Sequence, residues 1–239
     1  MRPEFKDMHC PFMRTVLGSQ DAPAWDKAAQ QMKVEDLVRF VRDQPGNGSL
    51  DRVVRYFAVV NHGLGNRAQR LFNLLGAGGT FSTKLVGSDG DHSGDSQIYH
   101  SKTREFDAAE FAAFTAFSSD GAKMIVAEIG AAIVDMNHRH GGRPSDALQS
   151  AGEYALMGVL LGDDAGSIPV ADMRTLFEKN EFPAGAREKL GSRTAEQWFG
   201  LTNLISDAVA AAAARAGRGA DMHAERLRAG LGLLFGGMR

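Results

Sequence analysis

Cys10 is the only cysteine in the chain, and it lies in a His9-Cys10-Pro11 step close to the N-terminus. A lone cysteine cannot form an internal disulfide, so its thiol is an ordinary core group, a reactive nucleophile or a metal ligand. Free cysteine usually behaves as a small apolar core residue. The residue types at this position leave all three interpretations open.

Glu128 is the second residue whose surroundings point to chemistry. If residues 122–139 form one helix, the positions three and four residues away lie on the same side of it. These four positions are all apolar: Met124, Ile125, Ala131 and Ala132. A carboxylate in such surroundings is costly to ionise, so we expect a raised pKa, which suits general acid–base chemistry near neutral pH. The alternative is that Glu128 reaches water or pairs with Lys123.

The third candidate is an acidic glycine loop, residues 89–96, with the sequence Asp-Gly-Asp-His-Ser-Gly-Asp-Ser. Its carboxylates and hydroxyls are the oxygen ligands that hard divalent cations prefer. The loop is not an EF-hand, because His100 stands where the bidentate glutamate would be. Loops of this composition are also common as solvated turns and helix caps, so a metal site and a plain turn both remain open.

Composition limits the classes of function. Lys+Arg 27 against Asp+Glu 29 gives a net charge of −2, and no basic block stands out, which speaks against a nucleic-acid partner. No run of about 18 apolar residues predicts a membrane span. The first residues are charged and have no apolar stretch behind them, so we expect no signal peptide and a cytoplasmic location.

The hydrophobic pattern predicts a mainly α fold. Apolar residues recur at helical spacing in residues 34–41, 50–64 and 125–136. Thr194 and Gln197 have capping-box spacing, and the helix that follows them is expected to end near Gly217. Glycine-rich breaks separate such segments, but none is long enough for a domain linker. We therefore expect the 239 residues to form a single domain.

Taken together, these segments resemble the heme-thiolate peroxidase family of chloroperoxidase and the fungal unspecific peroxygenases. That family carries Pro-Cys-Pro near the N-terminus, and His9-Cys10-Pro11 resembles it with histidine for the first proline. Its next signature is Glu-Gly-Asp or Glu-His-Asp followed by Ser, and residues 89–93 resemble it with aspartate for glutamate. Val126-Ala127-Glu128 resembles the segment with the catalytic glutamate. The resemblance covers the Cys-Pro step and residues 80–187.

The resemblance implies an all-α domain of the chloroperoxidase fold, with heme b between the Cys10-Pro11 segment and the Glu128 helix. Cys10 would be the thiolate ligand of the iron, and thiolate ligation favours cleavage of an O–O bond. A helix N-terminus just after Pro11 would help to keep the thiol deprotonated. The protein ligands of a Mg²⁺ or another divalent ion, which a heme propionate would also contact, would be Asp89, Asp91 and Ser93.

The implied activity is that of a peroxidase or peroxygenase. Glu128 would take a proton from one oxygen of hydrogen peroxide and return it to the other. The second substrate would be an apolar small molecule. The family gives its glutamate a positively charged partner, and the resemblance leaves Lys123, His92 and His62 as candidates for that role.

The chain also departs from the family in the layout of its segments. Asn61-His62-Gly63 resembles a step that follows the cysteine almost at once in the family, so residues 12–60 are an insertion or the likeness is accidental. Residues 192–239 would form a helical extension. Its amphipathic part, residues 220–235, would pack on the core or on a partner chain, which leaves a homodimer open.

Other functions remain open at this stage. One is a helical protein that carries heme or a divalent ion without turning over peroxide. Another is an enzyme without heme in which Cys10 is the nucleophile and His9 or His62 the base. A third is a purely structural role. Caleosins share part of the layout, but they are anchored to lipid, and this chain has no suitable apolar hairpin.

Overall fold

The computed structural model describes residues 8, 10–60, 73, 78–83, 96–100, 105–142 and 144–217. Within them the chain is mostly helical, which confirms the mainly α class. The α-helices are α1 (Pro11–Gly18), α2 (Val34–Arg42), α3 (Leu50–Val60), α4 (Ala108–Thr115), α5 (Val126–Arg139), α6 (Pro144–Leu161), α7 (Val170–Arg174), α8 (Ala186–Ser192) and α9 (Ala195–Arg215). A 3-10 turn covers Ser96–Ile98, and a π-helical segment, Thr175–Lys179, continues α7.

Two short antiparallel ladders join distant parts of the chain. Strand β1 (Gln31–Lys33) pairs with β2 (Thr80–Ser82), and β3 (Lys123–Met124) pairs with β4 (Ile168–Pro169). The sequence did not predict these strands, because two or three residues are too few to show the alternation that marks a strand.

The predicted helical segments form in α2, in α3 as far as Val60, where the described residues stop, and in α5, which begins at Val126 rather than at residue 122. Thr194 caps α9 in the predicted way: its hydroxyl oxygen accepts the N–H of Gln197, and the Gln197 side chain accepts the N–H of Thr194. The helix ends at Arg215, and Gly217 follows in the left-handed region with φ of 75°. Both ends of α9 therefore lie where the capping residues placed them.

The core is continuous through the described residues. Side chains of α2 and α3, such as Val34 and Leu50, belong to the same buried cluster as Trp198 and Ile205 of α9. The segments predicted as an insertion and as an extension both contribute to this core. None of the helices in the described ranges is long and apolar enough to cross a membrane.

Helix α9 lies very close to α5 at Gly130. A Cβ atom at this position would lie 2.6 Å from the Cβ of Ala208 and 2.7 Å from its carbonyl carbon. Such distances are shorter than van der Waals contact, and the nearby atoms include backbone of α9. The glycine therefore permits the close packing of the two helices.

Gly130→Ala is expected to lower the free energy of unfolding by about 1–2 kcal/mol. The clash with α9 costs more than the helix gains from alanine, which is about 1 kcal/mol. Gly200→Ala is the matched control, because Gly200 is exposed on α9 and a Cβ there meets nothing within 4 Å. Urea unfolding should show this control to be neutral or stabilising. A stabilised Gly130→Ala protein would contradict the close packing.

Candidate functional site

Cys10 is the N-cap residue of α1, and Pro11 is the first helical residue. The expected helix N-terminus at the Cys-Pro step is thus present, with Pro11 already part of the helix. Cys10 is half-buried and packs against the hydrophobic core, and its carbonyl accepts the N–H of Arg14 at 3.1 Å. The first turn of α1 carries no acidic residue. The N-terminal end of the helix therefore favours a negative charge at the thiol.

Arg14 follows Cys10 by one helical turn, and its side chain is buried, with 1% of the residue exposed. Its Nε donates to the carbonyl of Met8 at 2.7 Å, and its guanidinium lies 4.0 Å from the centroid of the Tyr99 ring. The sequence pattern gave no reason to expect a buried side chain here, because an arginine in a short helix is usually exposed. The available signal was its spacing of four residues from Cys10.

Three buried side-chain oxygens near α1 have no hydrogen-bond partner within the described part of the chain: Thr15 Oγ1, Gln97 Oε1 and Asn180 Oδ1. Their segments meet where the Tyr99 hydroxyl donates to the Phe177 carbonyl at 3.1 Å. A buried polar group left unsatisfied costs about 1–3 kcal/mol. Such atoms usually hydrogen-bond an ordered water or a ligand.

Glu128 lies in a different environment from the predicted one. Helix α5 begins at Val126, so Glu128 stands in its first turn rather than in its middle. Its two carboxylate oxygens accept the N–H groups of Ser119 and Ile125, each at 2.9 Å. Burial raises the pKa of Glu128, but the donors from Ile125 and Ser119 outweigh it, and the net pKa lies below the ordinary value. The expectation of a raised pKa is therefore wrong.

The loop before Glu128 connects α4 to α5. These two helices and the pair α6–α7 form two helix–loop–helix units, which the β3–β4 ladder joins. Glu128 ends a twelve-residue stretch that starts at Phe117, and it stands where an EF-hand has its bidentate glutamate. The first, third and fifth positions of that stretch lack carboxylates: they are Phe117, Ser119 and Gly121. In the described ranges no three His, Cys, Asp or Glu side chains gather at a metal site.

In the α4–α5 loop and in the α6–α7 loop, one aspartate accepts hydrogen bonds from backbone N–H groups of its own loop. Asp120 accepts the N–H groups of Ala122 and Lys123, and Asp163 accepts those of Ala165 and Ser167. These donors are the main reason that the pKa values of both aspartates lie below the ordinary value. The carboxylates of Asp120 and Asp163 are thus engaged by the backbone of their own loops.

Acid should weaken this pair of loops. The folded pKa values of Glu128, Asp120 and Asp163 lie below those of the unfolded chain, so unfolding takes up protons. Their contribution to stability is complete above the ordinary carboxylate pKa, about 4, and is lost as the pH falls through the folded values. The urea midpoint should therefore fall in this acid range, and less steeply in Asp163→Asn. An equally steep fall in the variant would contradict the role of Asp163.

The charged partner predicted for Glu128 is not confirmed at Lys123. Lys123 is exposed on β3, and within the described chain no ion pair joins it to Glu128. Its charge instead adds to the lowering of the Asp163 pKa, after the main effect of the Ser167 N–H. Several predicted site residues lie outside the described residues: His9, His62, Asp89, Asp91, His92 and Ser93.

Cys10 and Glu128 lie beside different parts of one helical run, formed by α7 and the π-helical segment that continues it. Helix α1 packs against the π-helical segment Thr175–Lys179. Glu128 lies beside β3, whose loop contacts the start of α7 through the Val170 N–H and the Ala122 carbonyl, 2.9 Å apart. From Val170 to Lys179 the run is about 13 Å long at 1.5 Å per residue. Phe111 and Phe177 fill core positions along this run, each with 1% exposed.

A surface groove of about 500 Å³ lies between α2, α8 and the segment after α1. Asp21, Phe40 and Arg187 are among its lining residues, and neither Cys10 nor Glu128 is. The groove is therefore not the predicted site.

The chemistry of the described residues suits heme binding at Cys10 but not at Glu128. At Cys10 a half-buried sulfur stands at a helix N-terminus. At Glu128 the carboxylate is engaged by two backbone donors.

A scan against protein-family models finds no match to the chain, and a search of curated proteins finds no relative.

Proposed function

We propose that the protein binds heme b through the Cys10 thiolate and uses hydrogen peroxide to oxidise or hydroxylate an apolar small molecule, as in the heme-thiolate peroxidases that its motifs resemble. The position of Cys10 as N-cap of α1 carries this proposal. The helix N-terminus supplies N–H groups and a partial positive charge, which a thiolate ligand needs to stay deprotonated. A chloroperoxidase-like arrangement of the helices is part of the same proposal.

The chain's own residues would have distinct tasks. Pro11 starts α1 and so fixes the direction of the N-terminal N–H groups around Cys10. Heme, when bound, supplies the oxidising iron centre, and thiolate ligation favours O–O cleavage. Glu128 would move the peroxide proton, which requires its carboxylate to leave the N–H groups of Ser119 and Ile125. The divalent ion at Asp89, Asp91 and Ser93 stays a prediction.

Titration of the purified protein with heme tests the proposal. We expect one heme per chain and, after reduction and addition of carbon monoxide, the long-wavelength Soret band of a thiolate-ligated heme. Failure to take up heme, or a band typical of histidine ligation, would reject Cys10 as the ligand.

A second candidate is a heme-binding protein that does not turn over peroxide. The environment of Glu128 favours it, because a carboxylate with a lowered pKa and two backbone donors is a poor proton acceptor near neutral pH. Stoichiometric heme with the thiolate band, together with no consumption of hydrogen peroxide, would select this candidate.

A further inference from the structure

We propose that the groove between α2, α8 and the segment after α1 binds a small organic amine, a molecule with one ammonium group and an apolar body. The groove has a volume of about 500 Å³, which lies within the usual range of about 300–1,000 Å³ for small-molecule sites. Neither Cys10 nor Glu128 lines it. The inference therefore goes beyond the proposed function and does not depend on heme.

Part of the groove lining is apolar. Phe40 of α2 lines the groove, and so do Pro23, Ala24 and Pro45. Phe40 is 6% exposed, and its ring stacks on the ring of Phe182 with the centroids 6.4 Å apart. Since these side chains are held by the core and by the chain path, they offer a preformed surface that the apolar body of a ligand can cover.

One wall of the groove is fixed by an ion pair between distant parts of the chain. The guanidinium of Arg187 in α8 donates to both carboxylate oxygens of Asp21, to one of them at 2.9 Å. The same guanidinium lies 5.6 Å from the centroid of the Phe40 ring and 5.4 Å from that of Phe182. Arg187 and Asp21 therefore neutralise each other and stabilise the shape of the groove.

The other charges in the lining favour a cation. Asp36 and Arg39 of α2 form a loose pair, 3.8 Å apart. Asp43 also lines the groove, and within the described part of the chain its carboxylate has no hydrogen bond or ion pair, since the neighbouring Arg42 is paired with Asp51 at 3.0 Å. Asp43 is the C-cap of α2, where the helix end carries partial negative charge. A ligand with one positive charge matches this end of the groove.

Other small ligands match the groove less well. An anion would meet three carboxylates and two guanidinium groups, one of which is already bound by Asp21. In the described ranges no three His, Cys, Asp or Glu side chains gather at a metal site, and a hydrated metal ion would not use the surface around Phe40. An organic ammonium can donate to the Asp43 carboxylate while its apolar body covers Phe40.

The test is a titration of the purified full chain with phenethylamine, followed by proton–nitrogen correlation NMR. Phenethyl alcohol serves as the neutral analogue of the same shape. We expect the amine to shift the amide signals of Asp43, Gln44 and Arg187. The alcohol should bind about tenfold more weakly, because it lacks the charge-assisted hydrogen bond. Added salt should weaken the binding of the amine and leave that of the alcohol unchanged.

Asp43→Asn should weaken the binding of phenethylamine about tenfold and leave the binding of phenethyl alcohol unchanged. The variant should keep the wild-type urea midpoint, because the Asp43 carboxylate makes no contact that it could lose. The matched control is Asp172→Asn, which removes an aspartate of α7 that does not line the groove. It should bind the amine as the wild-type protein does.

Three results would overturn the inference: equal affinity of the wild-type protein for the amine and the alcohol, shifts confined to signals outside the groove, or unchanged amine binding in Asp43→Asn. The comparison of the two ligands uses the wild-type protein, so it decides even if the variant is unstable. None of these results bears on the heme proposal, because the titration involves neither Cys10 nor Glu128.

Discussion

Cys10→Ala should abolish the thiolate Soret band and weaken heme binding by more than the roughly 10–100-fold typical of residues that only support a metal ligand. The expected loss is large because no second cysteine exists to take over as a ligand. The variant should still fold, since the Cys10 side chain makes no cap hydrogen bond to α1. Heme titration followed by the reduced carbon monoxide spectrum measures both effects.

Ser19→Ala is the matched control for this experiment. Ser19 is the C-cap of α1, and its hydroxyl donates to the Val16 carbonyl at 2.6 Å. Its replacement disturbs the same helix at the opposite end and should leave the heme spectrum intact. If Cys10→Ala keeps the wild-type band, the iron ligand is another residue.

Glu128→Gln is expected to keep heme and to lower peroxide turnover by about 10²–10⁴-fold, the usual contribution of a general acid–base group. The amide can still accept a hydrogen bond but cannot carry the proton between the peroxide oxygens. The substitution also weakens two backbone contacts of the loop, at a cost of about 1 kcal/mol. Peroxide consumption per bound heme, measured with the urea midpoint, separates catalysis from stability.

Asp163→Asn controls for the loss of loop structure. Asp163 has the corresponding structural task in the paired loop, where it accepts the N–H groups of Ala165 and Ser167. Full peroxide turnover in Glu128→Gln would reject the proton-transfer role. Equal losses in both variants would assign the effect of Glu128 to the integrity of the paired loops.

The sequence predicted the features that depend on local signals. Pro11 marked the start of α1 and so placed Cys10 at a helix N-terminus, and Thr194 marked the start of α9. Both signals act within one turn of helix, so they do not depend on the rest of the fold. The mainly α class followed from the helical spacing of apolar residues.

The error at Glu128 has a non-local cause. Residues 122–125 have an apolar pattern that suits a helix, but Met124 pairs with Ile168 in the β3–β4 ladder. This pairing delays the helix to Val126 and leaves the N–H of Ile125 free for the Glu128 carboxylate. Burial of Arg14 depends likewise on Tyr99, a residue far along the chain. Contacts of this kind leave no periodic signal in the sequence.

X-ray absorption at the iron edge of the heme-loaded wild-type protein tests the central claim most directly. The account predicts one sulfur scatterer in the coordination sphere of the iron, and its loss in Cys10→Ala. An iron surrounded by nitrogen and oxygen alone in the wild-type protein would contradict it.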